Sequence, residues 1–142
     1  MSKYLSKNPY IGTYNVYGYY NNFLKELLPW DSLTDPEYNI IKENCPSKII
    51  LNSNSAIITG GVVNEQTFFT KTHENTLQFI YNGVETIIGN FNSGDLHWTY
   101  GLESAIFSSY HKLSSADPTW KYEPEHASEG AYVLYKKVIL PS

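Results

Sequence analysis

Apolar and polar residues change period along this chain, and the changes mark its elements. Residues 10–20 alternate, with Tyr10, Gly12, Tyr14, Val16, Gly18 and Tyr20 on one face and Ile11, Thr13, Asn15, Tyr17 and Tyr19 on the other. A period of two predicts a strand, and Gly18 predicts a bend or bulge near its end. Asn21 or Asn22 then caps a predicted helix whose apolar positions, Phe23, Leu24, Leu27 and Leu28, form one stripe before Pro29. Asp35-Pro36 is an N-cap followed by proline at the first helical position. Tyr38, Ile41 and Cys45 follow at spacings of three and four, so residues 36–44 read as a second short helix. Both helices are near or under ten residues and need a surface to pack on. Residues 11–30, a strand feeding a helix, are therefore expected to organise the rest.

After Pro46 the pattern becomes one of short β-rich runs. Residues 48–51 and 56–59 flank the polar turn Asn52-Ser53-Asn54-Ser55, and Gly60-Gly61 permits a bend before Val62-Val63. Residues 67–72 and 76–81 flank His73-Glu74-Asn75. Asn82-Gly83 is the strongest hairpin signal, because both central residues of a type I′ turn require positive φ. Residues 84–91, 96–100, 105–113 and 119–122 are read as further strands, and residues 131–140 as the closing one; residues 1–9 are read as a polar arm. Helices do not alternate with these strands, which argues against a parallel α/β fold. A long antiparallel meander removes its edges by closing. The expected fold is mainly β: one domain over residues 1–142, an antiparallel up-and-down β-barrel with a short N-terminal helical pair as lid.

Composition narrows the partners. Hydrophobic residues make up 42% of the 142 positions and aromatics 15%, with thirteen Tyr against six Phe. Tyrosine joins an apolar body to a polar tip, which suits half-wet cavities, although aromatics also favour strands generally. Net charge is −4, and all ten basic residues are lysine. An acidic chain without arginine lacks the usual readers of phosphate and guanine, so neither nucleic acid nor membrane insertion is expected. The single Cys45 excludes an internal disulfide and a cysteine-rich zinc site. The first residues carry no apolar signal segment, so a cytoplasmic location is expected. No cofactor is implied, and P-loop, Gly-x-Gly-x-x-Gly, Gly-x-Ser-x-Gly and His-Glu-x-x-His motifs are absent.

Gly12-Thr13-Tyr14 resembles the Gly-x-Trp that opens the first strand of the calycins, the lipocalins and intracellular fatty-acid-binding proteins, with tyrosine in the tryptophan's place. Fatty-acid-binding proteins insert two short helices before the second strand, as residues 22–44 would do here. Pro46-Ser47-Lys48-Ile49-Ile50, a polar turn and Ala56-Ile57-Ile58-Thr59 are similar to that family's next hairpin. The resemblance implies a ligand-holding barrel. The family's arginine, two residues before a tyrosine near the C-terminus, is replaced by Val133 before Tyr135, so a carboxylate ligand held that way is not implied.

Candidate chemistry centres on rings. Tyr14, Val16, Tyr20, Phe23, Trp98, Phe107, His111 and Tyr135 are the expected ligand-lining residues. Of four histidines, His97 and His111 fall within expected strands and are the candidate acid or base groups, with Ser109 beside His111 on one face. His73 and His126 fall in expected polar segments. Trp30, Trp98 and Trp120 suit a cavity wall or platforms for sugar rings, and such rings are more often simply core. Glu123, Glu125 and Glu129 surround His126, and paired carboxylates can cleave glycosides, although such a loop also suits plain solvation. No metal site is expected. The best reading is a small-molecule binding protein holding an apolar or aromatic ligand. The alternatives are a calycin-like enzyme acting on an aromatic or polyene molecule, and a carbohydrate or protein interaction module.

Overall fold

The computed structural model describes residues 9–62 and 64–139; the remainder of the expected N-terminal arm, Val63 and Leu140 lie outside them. Among the described residues nine strands are present: β1 (Gly12–Asn21), β2 (Glu26–Pro29), β3 (Lys48–Leu51), β4 (Ser55–Thr59), β5 (Thr67–His73), β6 (Thr76–Tyr81), β7 (Val84–Asn92), β8 (Asp95–Trp98) and β9 (Tyr132–Lys137). Helix α1 spans Asn39–Asn44 and helix α2 Leu102–Ala116. Strands β1 and β3 to β9 pair antiparallel in chain order, and β9 pairs back onto β1, closing an eight-stranded barrel. Closure leaves no exposed ladder between first and last strands, which answers the edge problem of a meander. Among the described residues no helix is long and apolar enough to cross a membrane.

The opening strand borders three others. Residues Gly12–Asn15 pair with β3, Gly18–Asn21 pair with β2, and the opposite edge pairs with β9. The register slips between Val16 and Gly18 on the β9 side, where the sequence places a bulge. A Cβ on Gly18 would sit 2.6 Å from the Leu28 carbonyl oxygen, so the close approach of β2 requires glycine there.

Two elements differ from the sequence expectation. The segment capped by Asn21 is a turn and strand, not a helix. Asn21 Oδ1 accepts from the amides of Phe23 and Leu24, both at 3.0 Å, Lys25 takes a positive φ of 54°, and the chain returns as β2. Six residues cannot recover the cost of helix nucleation, whereas Leu27 and Leu28 gain a ladder against Tyr20 and Tyr19. Residues 105–113 are the middle of α2, not a strand. Leu102, Ala105, Ile106 and Ser109 are its buried positions, a spacing of three, one and three. That stripe begins at Leu102, outside the window in which alternation was read, and β-prone Ile106, Phe107 and Tyr110 imitate period two inside it. Residues 119–122 form no strand and pack through Trp120 and Tyr122 on Tyr110. The expected helix over residues 36–44 is present, as a 3-10 turn at 36–38 continuing into α1, whereas residues 22–28 are not helical; α1 packs instead against α2.

Antiparallel chain order puts α1, residues 60–62 and 64–66, the Asn82-Gly83 turn and α2 at one end of the barrel, and the tight turns of residues 52–54, 74–75 and 93–94 at the other. That other end is plugged. Tyr10 stacks on Phe91 at 4.0 Å, and the Tyr14 hydroxyl donates to the Tyr10 carbonyl at 2.6 Å. Above the plug, Tyr14, Ile49, Ile58, Leu77, Leu96, Val133 and Tyr135 are fully buried and fill the barrel. Cys45 is buried among the core residues, and burial pushes its thiol up to about 12.

Candidate functional site

The hollow lies at the helical end, where the filling stops. Strands β5 to β8 contribute Phe68, Phe79, Tyr81, Val84, Thr86, Ile88 and Trp98, α2 contributes Ser104, Ala105 and Ser108, and Gly101 just before it adds its backbone. Asn44, Val62, Gln66, Asn82 and Tyr100 complete a cleft of about 640 Å³. That volume falls within the range of small-molecule sites. Its floor is aromatic: Phe68 stacks on Phe79 at 4.9 Å, and Phe79 meets Trp98 edge-on at 6.1 Å. Trp98 Nε1 donates to the Tyr100 carbonyl at 3.0 Å, which satisfies the indole and leaves its ring as wall. No Lys, His, Asp or Glu is among the described lining residues. Tyr81, Val84 and Tyr100 are half or more exposed and form the rim.

One expected ligand-lining residue, Trp98, lies in this cleft. Tyr14 and Tyr135 are wholly buried in the filled part of the barrel, and the Tyr135 hydroxyl donates to the Pro46 carbonyl at 2.7 Å. Burial pushes the Tyr14 hydroxyl up to about 12 and holds that of Tyr135 well above the usual value. Val16 packs against the same core. Tyr20 is turned outward, stacked on Tyr132 at 4.9 Å, because the bulge at residues 16–18 inverts the alternation after Val16 and sends Tyr19 inward instead. Phe23 is half-exposed in the turn before β2. Phe107 and His111 sit one helical turn apart on the side of α2 facing away from its buried stripe, and Phe107 is 74% exposed. His111 therefore does not enter the barrel, and Ser109, its expected neighbour, is buried and donates to the Glu37 carbonyl at 2.6 Å. His97 lies on the outer face of β8, its ring flat on Tyr132 at 3.9 Å, and desolvation lowers its pKa against the opposing pull of Asp95.

The titratable pair with the closest contact joins segments that looked unrelated in sequence. His126 Nε2 lies 2.9 Å from Glu37 Oε2, and His126 Nδ1 accepts from the Glu123 amide at 3.1 Å. Desolvation, opposed by His126, holds the Glu37 carboxyl above the usual carboxylate range. Tyr19, Tyr38, Tyr110 and Asn21 surround the pair, but the space among them is about 10 Å³, room for one water and no substrate. Glu123, Glu125 and Glu129 are exposed, and the carbonyls of Glu125 and Glu129 accept from Asn21 and Asn22 at 2.8 Å each. Nothing local to residue 37 or 126 marks this contact in the sequence; only closure of the fold brings them together. Among the described residues no group of three or more His, Cys, Asp or Glu is placed to hold a metal ion.

The cleft residues that sequence reading missed are Phe68, Phe79, Tyr81, Thr86 and Ile88. Their alternation along β5 to β7 was visible, but which face met a void depended on where the barrel filling ends. Comparison with family models, with curated proteins and with solved structures returns no match to this chain.

Proposed function

We propose that this chain is a small-molecule binding protein that holds an uncharged apolar or aromatic ligand in the mouth of its barrel. The observation that carries the reading is an aromatic-floored cleft of about 640 Å³ with no charged group among its described lining residues. An ionised ligand entering it would lose water without gaining a counter-ion, at a cost of several kcal/mol. A neutral ring system loses nothing of the kind. Burying a two-ring ligand, about 150–250 Å² at about 25 cal/mol per Å², contributes roughly 4–6 kcal/mol before association costs. Amide and hydroxyl groups of Asn44, Gln66, Asn82, Thr86, Ser104 and Ser108 remain to orient a polar substituent. The proposal extends to architecture: a chain-order meander with helices over one mouth supports a calycin-like, lidded up-and-down barrel. A cytoplasmic site of action belongs to the same reading, as do partners that are neither nucleic acid nor membrane, the latter resting on an acidic chain without arginine.

The test pairs two fluorescent probes of one ring framework, neutral N-phenyl-1-naphthylamine and its anionic analogue 1-anilinonaphthalene-8-sulfonate. The neutral probe is expected to bind at least tenfold tighter, on the order of 0.1 mM or better. Equal affinity for the two, or no binding of either, would overturn the assignment.

A further inference from the structure

We propose that the chain carries a second binding site, on the side of α2 opposite the barrel mouth, that takes a neutral oligosaccharide. A surface cleft of about 550 Å³ lies between α2 and residues 120–128, walled by Phe107, Trp120 and Tyr122 and edged by Glu103, His111 and Ser128. It shares no residue with the barrel-mouth cleft: Ser104, Ala105 and Ser108 of α2 face one, and Glu103, Phe107 and His111 face the other. The chemistry of the two also differs. The mouth has no ionisable group but tyrosine, whereas here a carboxylate and an imidazole stand beside ring faces. A pyranose presents a flat face of C–H bonds surrounded by hydroxyls, so it needs an aromatic plane with donors and acceptors at its margin. A carboxylate accepts only, and takes two hydroxyls at once. It also repels anionic ligands, which limits the class to neutral sugars.

The platform is built rather than incidental. Residues 117–128 have almost no regular structure, yet bonds within the segment, to α2 and to Glu37 brace them. Asp117 Oδ1 accepts from the Thr119 amide at 3.0 Å and from its hydroxyl at 2.7 Å. The Tyr110 hydroxyl donates to the His126 carbonyl, and His126 is tied to Glu37. Trp120 stacks against Tyr110 and His126, both at 5.5 Å, which lie 5.3 Å from each other, and Tyr122 stands edge-on to Tyr110 at 5.0 Å. These contacts fix two rings while leaving Tyr122 54% and Phe107 74% exposed. Rings already immobilised lose little entropy when a ligand stacks on them. Trp120 and Tyr122 both line the cleft, and an indole N–H and a phenol are the kinds of donor that sugar hydroxyls take.

The experiment is isothermal titration of the whole chain with cellohexaose, maltohexaose and chitotetraose, alongside mapping of amide shifts by NMR. At least one sugar is expected to bind at roughly millimolar affinity or better, with shifts centred on Trp120, Tyr122 and Phe107. Trp120→Ala should weaken it tenfold or more, and Tyr122→Ala and Glu103→Gln several-fold. Tyr122 and Glu103 are exposed, so those two variants keep the test decisive even where Trp120→Ala disturbs folding. No binding of any of the three sugars, affinity unchanged in Tyr122→Ala and Glu103→Gln, or shifts centred on Trp98 and Tyr81 would each overturn the proposal. Naphthylamine binding in the mouth is scored separately, so either site can fail without the other.

Discussion

Replacing Tyr135 by Phe separates a structural strut from a ligand contact. The side chain is fully buried, and its hydroxyl donates at 2.7 Å to the Pro46 carbonyl, joining β9 to the junction between α1 and β3. Phenylalanine retains the ring and its contact with Trp98, 5.9 Å away, so the loss is confined to one hydrogen bond. The Pro46 carbonyl is then left buried without that donor, a cost of about 1–3 kcal/mol. For 142 residues, unfolding entropy scales to about 0.3 kcal/mol per degree, so the melting temperature should fall by about 3–10 °C. Urea denaturation should show a lower midpoint at an unchanged slope, because the surface exposed on unfolding is the same. Naphthylamine affinity should stay within about twofold, since Tyr135 does not line the mouth. A variant as stable as the parent, or one with weakened probe binding, would refute the assignment of Tyr135 to the filled interior.

The remaining predictions test other joints. Gly89→Ala places a methyl 2.0 Å from the His97 carbonyl oxygen, so β7 and β8 must separate; the loss should reach the upper range for single substitutions, about 3–5 kcal/mol, by chemical denaturation. Glu37→Gln tests the desolvation of the Glu37 carboxyl through pH. The native carboxyl, held above its ordinary range, keeps a proton that the unfolded chain has already released, so parental stability should fall as pH rises through that window and then level off. The Gln variant should lack that decline, as read from melting temperatures at each pH, and an unaltered slope would contradict a desolvated carboxyl at residue 37.

Much of the barrel was legible because its signals are local. Asn82-Gly83 demands positive φ at both residues, and the observed values are 52° and 78°. Pro46 ends α1 and the β runs begin just beyond it, as their composition indicates. What escaped depended on distance or parity. One extra residue in β1 reversed which of Tyr19 and Tyr20 faced inward, and no propensity argument locates that insertion to a single position. Helix α2 hid behind residues that suit strands, although the stripe from Leu102 through Ala105, Ile106 and Ser109 is present in the sequence once the window is widened. The cleft needed more still, because Trp98 and Phe79 border a void only where the filling from Tyr14 and Tyr135 stops below them.

Occupancy of the mouth can be decided by blocking it from the helix side. Ser104 is exposed and lines the cleft, so Ser104→Trp should fill the space without touching the core, whereas Phe107→Ala alters a residue that lines only the other cleft. Titration of N-phenyl-1-naphthylamine into the parent and both variants is the direct measurement. The predicted result is binding by the parent and by Phe107→Ala, and a loss of tenfold or more in Ser104→Trp. Binding that survives intact in a folded Ser104→Trp variant would contradict a ligand site in the barrel mouth.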